Sequence, residues 1–351
     1  MTSLIEQSLN EIWSFTLGRK DIGENDNFFA LGGDSLLALA TIEQIKQRLG
    51  WNLSLGDLLR YPTIRELATD GSQLQVANQE RAIIRMSNRG SKIPIIFIHP
   101  VSGLVFAYSK LVQRLGHDRG CYGIQPLALA NVERLQTIQD IAEHYANLIY
   151  DDFGEEDFHL VGWSLGGLIG YEIAKKAADK GLNLRKLVLI DSYIWEVPII
   201  KWDEAALLLD LRNDLLAQVA TNNKELGATS EGAGPPSAIQ QITVALFGQA
   251  RSQRNSSIAF VERLIQTYRA NIRALVEYRP TAKPTHGLLL HVSENDSIET
   301  WHKLSAGKLT ASTIAGSHYG LLQDQHATTI AALIENYLLG KEELNHVVRN
   351  D

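Results

Sequence analysis

The chain has a single cysteine, Cys121, in 351 residues, so no internal disulfide can form and a reducing, cytoplasmic setting is expected. Long apolar runs are missing too. The longest, such as IPIIFIH at 93–99, are strand-length and far short of a membrane span. The N-terminus MTSLIEQSLN lacks the basic and apolar regions of a signal peptide, and no membrane partner is expected. Basic residues are in the minority, 33 Lys and Arg against 40 Asp and Glu, and the net charge of −7 argues against nucleic acid as a ligand. Metal-ligand spacings and a phosphate-binding glycine loop followed by lysine are likewise absent, as are repeats at solenoid periods. What remains is an ordinary globular composition, 45% hydrophobic and 21% charged. At about 150 residues per domain, its length suits two domains.

Those two domains differ in pattern. Leu4, Ile5, Leu9, Ile12, Trp13 and Leu17 recur at helical spacing, and a second helical pattern runs from about Ser35 to Leu49. Shorter helical pieces are expected near Leu55–Leu59 and Thr63–Leu67, giving a small all-α four-helix domain over 1–72. The polar stretch GSQLQVANQER at 71–81 has no sustained periodicity, and a linker is set at 73–81. From 82 to 345 apolar runs alternate with helical stretches: 93–99, 121–125, 158–163, 186–191, 287–292 and 309–314 read as strands. Such alternation predicts a mostly parallel sheet covered on both faces. It stops between about 196 and 278, where helices near 203–217, 239–248 and 258–277 surround a loop, 221–238, rich in Gly, Ser, Asn and Pro. An insertion of that form between two strands is expected to act as a lid.

In the first domain, DNFFALGGDSLLALA at 26–40 places two glycines, an acid and Ser35 directly before an apolar helix. A helix N-terminus, with unpaired N–H groups and a positive dipole end, favours a phosphate. Capping alone would also account for Asp34 or Ser35 there. The segment FFALGGDSL, with Asp26 and Phe29 before the loop and Leu36 after it, resembles the core motif of peptidyl carrier proteins of nonribosomal peptide synthetases. The resemblance implies that Ser35 carries a covalent 4′-phosphopantetheine arm, added by a separate phosphopantetheinyl transferase.

In the second domain, GWSLGG at 162–167 follows the apolar run FHLV and precedes the helical stretch LIGYEIAKKAADK. Strand, turn and helix are the context of the G-x-S-x-G nucleophile elbow, and Ser164 is the candidate nucleophile. In this fold the acid and then the histidine follow the serine in sequence. His318, in the small-residue loop AGSHYGLL after the last strand, is placed to reach over the sheet, whereas His291 lies inside an apolar run and His326 on a helical stretch. For the acid, Asp191 ends one strand and Asp296 follows another, and position alone leaves both open. The donor of one oxyanion-hole N–H is expected to be Leu165, the residue after the nucleophile.

Residues 82–340 resemble the terminal thioesterase domains of peptide synthetases, and the resemblance implies Asp191 as the acid. It also likens HPVSG at 99–103 to the family's His-Pro-x-Gly-Gly loop, with Val101 as second oxyanion donor and Ser102 in place of the first glycine. His99 is then a loop-shaping residue before Pro100 and not the base. The expected reaction is transfer of a peptidyl or acyl thioester from the arm on Ser35 to Ser164, with release by hydrolysis or macrocyclisation. Upstream condensation and adenylation domains are the implied partners. Two rival readings are a carrier and docking module with an inert hydrolase fold, and an ordinary esterase with a helical adaptor.

Overall fold

The structure, a computed structural model, describes residues 4–33, 35–51, 53, 57–58, 61–74, 83–87, 90–115, 118–126, 136–194, 204–218, 239–240, 242–243, 255–292 and 298–341. It divides into two compact units, Met1–Arg81 with Asp203–Ile265, and Ala82–Trp202 with Gln266–Asp351.

In the first unit, helices α1 (Leu4–Leu17), α2 (Ser35–Leu49) and α3 (Ile64–Leu74) surround an apolar centre. Leu9, Ile12 and Trp13 of α1, Ala38 and Ile45 of α2, and Ile64 and Leu67 of α3 are buried; the three from α1 belong to its expected apolar set, of which Leu4 is exposed. Phe28, from the loop between α1 and α2, packs edge-on to Trp13 with centroids 4.9 Å apart. Thr63 and Glu66 form a reciprocal capping box that starts α3: Glu66 N–H donates to Thr63 Oγ1 at 3.2 Å and Thr63 N–H to Glu66 Oε2 at 3.2 Å. The expected helical piece at Leu55–Leu59 falls mostly outside the described residues, although Asp57 and Leu58 are helical. One boundary needs correcting. Helix α3 continues to Leu74, into the residues read as linker. The polar run from Asp70 has no proline to stop it, and a single glycine, Gly71, costs only about 1 kcal/mol in a helix that is already propagating.

The second unit is built on a seven-stranded sheet: β1 (Ile83–Arg85), β2 (Lys92–Ile98), β3 (Arg119–Ile124), β4 (Phe158–Trp163), β5 (Leu184–Ile190), β6 (Gly287–Val292) and β7 (Leu309–Ile314). Their spatial order is β1-β3-β2-β4-β5-β6-β7; β1 pairs antiparallel with β3 and every other pair is parallel. All six residues of β4 and of β6 are buried, as strands covered on both faces require. The strand β1 was not expected, because three residues are too few to show a period. Between β2 and β3 a 3₁₀ turn (Val105–Tyr108) leads into α4 (Ser109–Leu115). Helices α5 (Ile138–Phe153) and α6 (Leu165–Lys176) flank β4 in sequence.

Helices α7 (Glu204–Gln218) and α8 (Asn255–Glu277) fall within the expected lid, and the division between units crosses α8 between Ile265 and Gln266. Thus Asp203–Ile265 groups with the N-terminal residues, whereas the expected boundaries assign it to the hydrolase domain. The loop 221–238 lies outside the described residues. Helices α9 (Ile298–Leu304) and α10 (Asp324–Leu338) complete the second unit. Strand order reverses at β2, which has β3 on one side and β4 on the other. In open α/β sheets the crevice beyond the strand ends at such a reversal is where ligands bind.

Candidate active site

Two loops meet at that reversal. Ile98, the last residue of β2, is in register with Gly162 of β4, so the segment from His99 and the turn at Ser164 leave the sheet at the same edge. Ser164 sits between β4 and α6 with φ 56° and ψ −126°, a backbone conformation side-chain-bearing residues rarely adopt. The glycines around it are sterically required. A Cβ on Gly162 would lie 2.2 Å from the carbonyl carbon of Gly166, and one on Gly166 would lie 2.3 Å from the carbonyl oxygen of Ile98. Leu165 is the first residue of α6, and first-turn N–H groups have no intrahelical acceptor.

Asp191 follows the last residue of β5, is 1% exposed, and has φ 40°. Its N–H donates to Leu290 O at 2.6 Å, and its Oδ1 accepts from Val292 N–H at 3.1 Å. The carboxylate is thereby fixed against the end of β6. Its other oxygen, Oδ2, lies 2.6 Å from Nδ1 of His318, which begins a 3₁₀ turn (His318–Gly320) beyond β7. Because a carboxylate only accepts, His318 Nδ1 carries the proton and Nε2 is the nitrogen free to act as a base. The imidazole lies against Trp163, the residue before Ser164, with centroids 5.0 Å apart, and meets Tyr193 and Tyr319 edge-on at 5.5 and 5.2 Å. Among the described residues only Ser164, Asp191 and Ala306 combine a side chain with positive φ, so two of the three strained positions are candidate site residues. Asp296, the other candidate acid, lies outside the described residues.

The segment after β2 is pinned from several sides. Gly103, with φ 82°, donates its N–H to Pro100 O at 2.9 Å and closes a turn around Val101. His99 is fully buried, and burial lowers its pKa to about 4. Its Nδ1 lies 2.8 Å from Pro100 O and its Nε2 2.8 Å from the Tyr145 hydroxyl, which makes it a structural residue of the loop. Tyr108 joins the two strand ends: its hydroxyl donates to Ile98 O at 2.7 Å and accepts from Trp163 N–H at 2.7 Å. The two other histidines weighed as the base lie elsewhere. His291 holds Thr313 Oγ1 at 3.0 Å within the sheet, and His326 is on α10.

The first unit carries the other candidate residue. Phe28 N–H donates to Pro62 O at 2.8 Å, and Gly33 N–H donates back to Phe28 O at 3.0 Å. A Cβ on Gly33 would lie 2.4 Å from the Phe28 ring, whereas one on Gly32, at φ 95°, would meet nothing within 4 Å. This turn therefore fits the buried Phe28 on one side and is open on the other, and it delivers Ser35 as the first residue of α2. A phosphate attached at a helix start is accommodated by backbone N–H groups, so the residues fit a phosphopantetheine attachment site.

A carrier-like helical unit and an α/β-hydrolase sheet with Ser, Asp and His at its strand ends define a class of acyl-handling protein. Residues 93–338 match the thioesterase domain family, and residues 7–70 match the phosphopantetheine attachment site family. The chain belongs to the thioesterase family, joined to a carrier domain as in nonribosomal peptide synthetases. It is 32% identical over 192 residues to a dimodular nonribosomal peptide synthase of Bacillus subtilis (strain 168), covering 54% of this chain and 8% of that protein. To surfactin synthase subunit 3 of the same organism it is 32% identical over 197 residues, covering 54% of this chain and 14% of the relative. Among solved structures it is similar to a holo four-domain nonribosomal peptide synthetase bound to AMP and glycine, with TM-score 0.63 and 25% identity, over 96% of this chain and 26% of that one. The Vlm2 thioesterase domain, at TM-score 0.53 and 19% identity, covers 73% of this chain and 97% of its own and shares the hydrolase fold. The chain thus spans only a small part of the synthetases it matches.

Proposed function

We propose that this chain is the release module of a nonribosomal peptide synthetase, and that Ser164, His318 and Asp191 transfer and release its acyl product. The observation that carries the reading is the 2.6 Å pairing of His318 Nδ1 with the buried Asp191, with the imidazole lying against the residue before the strained Ser164. Bound at Ser35, 4′-phosphopantetheine supplies a thiol that holds the acyl group as a thioester. Asp191 fixes the His318 tautomer and stabilises the imidazolium. His318 Nε2 takes the proton of Ser164 Oγ as that oxygen attacks the acyl carbonyl. The N–H groups of Val101 and Leu165 receive the developing oxyanion, each worth about 3 kcal/mol in comparable sites. The C–S bond breaks, and the proton passes from His318 to the leaving thiolate.

The acyl-Ser164 ester then reacts with water, giving a free acid, or with an amine or hydroxyl of the acyl chain itself, giving a macrocycle. In either case His318 removes the nucleophile's proton and returns it to Ser164. Dividing the reaction at the ester replaces one difficult step by two easier ones. Upstream condensation and adenylation domains would supply the chain, and a phosphopantetheinyl transferase would load Ser35.

Fluorophosphonate labelling tests the assignment. One adduct per chain is expected on Ser164, lost in Ser164→Ala, and a synthetic peptidyl thioester should be released by the parent chain but not by that variant. Release undiminished in Ser164→Ala would reject the reading.

A further inference from the structure

We propose that Asn271 of helix α8 is a positioning residue for the oxyanion donor at Val101; the inference rests on the reading above. Asn271 is 3% exposed, and its Nδ2 donates to Val101 O at 2.8 Å across 170 residues of sequence. The turn at Val101 is thus fixed on both of its peptide units. On the near side, Pro100 O accepts from Gly103 N–H at 2.9 Å and from His99 Nδ1 at 2.8 Å. A trans peptide is planar, with its C=O and N–H pointing in opposite directions, so anchoring Pro100 O sets the direction of Val101 N–H. On the far side, only rotation about the two Val101 backbone bonds separates that N–H from the carbonyl that Asn271 holds.

The same helix supplies the steric stop. Thr267, one helical turn before Asn271, faces Gly103: a Cβ built on Gly103 would lie 2.8 Å from Thr267 Cγ2. Residues four apart share a face of a helix, so one face of α8 both contacts the turn and donates to it. Oxyanion stabilisation depends on donors that are already aimed when charge develops. A buried amide that holds the donor's own residue contributes to that aim without touching the substrate. A structural cap would serve stability alone, whereas a positioning group acts on the transition state more than on substrate binding.

Asn271→Asp keeps the shape and replaces the donor with an acceptor facing a carbonyl oxygen. With an acyl N-acetylcysteamine thioester, kcat should fall about tenfold or more while KM stays within about twofold. An alkyl boronic acid that forms a tetrahedral adduct at Ser164 should lose affinity by a matching factor. Asn271→Gln, which retains the amide, should recover part of both losses. A folded Asn271→Asp variant, judged by thermal unfolding, that retains parental kcat and boronate affinity would overturn the inference. So would equal losses in KM and kcat with unchanged boronate binding. If the aspartate variant does not fold, Asn271→Ser, too short to reach Val101 O, carries the same expectation and the same refutation. Should the parental chain show neither labelling at Ser164 nor turnover, the proposed function fails and not this inference alone.

Discussion

Asp191 reaches His318 across 127 residues of sequence with one carboxylate oxygen while the end of β6 holds the other, so the carboxylate is oriented by the sheet as well as by the histidine. The backbone of Asp191 is in the left-handed region at φ 40°, a strain of about 1–3 kcal/mol that the surrounding sheet must hold in place. Asp191→Asn keeps the size but presents an amide to His318 Nδ1 and favours the wrong tautomer. Turnover of a peptidyl thioester should drop by about 10⁴, with the fold retained. Asp296→Asn should change turnover by less than about twofold on the same measurement. The reverse ranking would move the acid to the segment that follows β6.

Loading should depend on one hydroxyl. Incubation with a phosphopantetheinyl transferase and coenzyme A is expected to add one phosphopantetheine by intact mass, and Ser35→Ala should abolish the gain. Fluorophosphonate labelling of Ser164 should be unchanged in that variant, because the hydrolase chemistry is built on the other unit. A persisting mass gain would remove Ser35 from the assignment.

The sheet was legible because its inner strands are mostly apolar: β4 and β6 coincide with the expected 158–163 and 287–292, and β7, half polar and only partly buried, coincides with 309–314. Ser164 was legible because a strained elbow restricts its neighbours to glycine, and that restriction is local in sequence. Asp191 was only half legible. Two strand ends offered an acid, and the choice lies in which carboxylate faces His318, a long-range contact. Nothing marked Asn271 at all. A polar residue among the alternating apolar positions of α8 looks like any solvated helix residue until the fold brings Val101 O to it. Tyr108 and Trp163 were missed for the same reason, since an aromatic residue at helical or strand spacing reads as core. The end of α3 was misplaced because polarity marks exposure, and an exposed helix turn is as polar as a linker.

The glycines of the elbow give a stability prediction independent of activity. Gly166→Ala would drive a Cβ to 2.3 Å from Ile98 O, a rigid backbone atom. Relief requires β2 and α6 to separate, at about 1–3 kcal/mol or more. Urea denaturation of the second unit should show a lowered midpoint, and labelling at Ser164 should slow. Gly32→Ala is the contrast: space is open there, and its penalty should be the smaller one of a left-handed backbone position.

Two buried histidines set how the fold responds to acid. Burial lowers His99 to about 4 and His159, on β4, to about 4 as well, with Arg119 and Lys186 adding charge repulsion at His159. Each is neutral when folded and takes up a proton near pH 6.5 when unfolded. Between about pH 6.5 and 4 the unfolded chain therefore binds more protons than the folded one, and stability rises with pH across that window. Each shift corresponds to about 3 kcal/mol, present in full above pH 6.5 and lost progressively as pH falls toward 4. Glu143, held down to about 2 by Lys176 and Lys180, loses its own contribution from about pH 4.5 downward. Urea unfolding monitored at pH 7.0, 6.0 and 5.0 should show a falling midpoint, steepest below pH 6. His159→Gln removes one of the two protonations and should flatten the dependence by about half, because His159 lies in the sheet and takes no part in the turn at Val101. His99→Gln should flatten it similarly but also slow thioester turnover, since Pro100 O loses a donor. A His159→Gln chain with the parental pH slope would show that the buried imidazole is not what acid attacks.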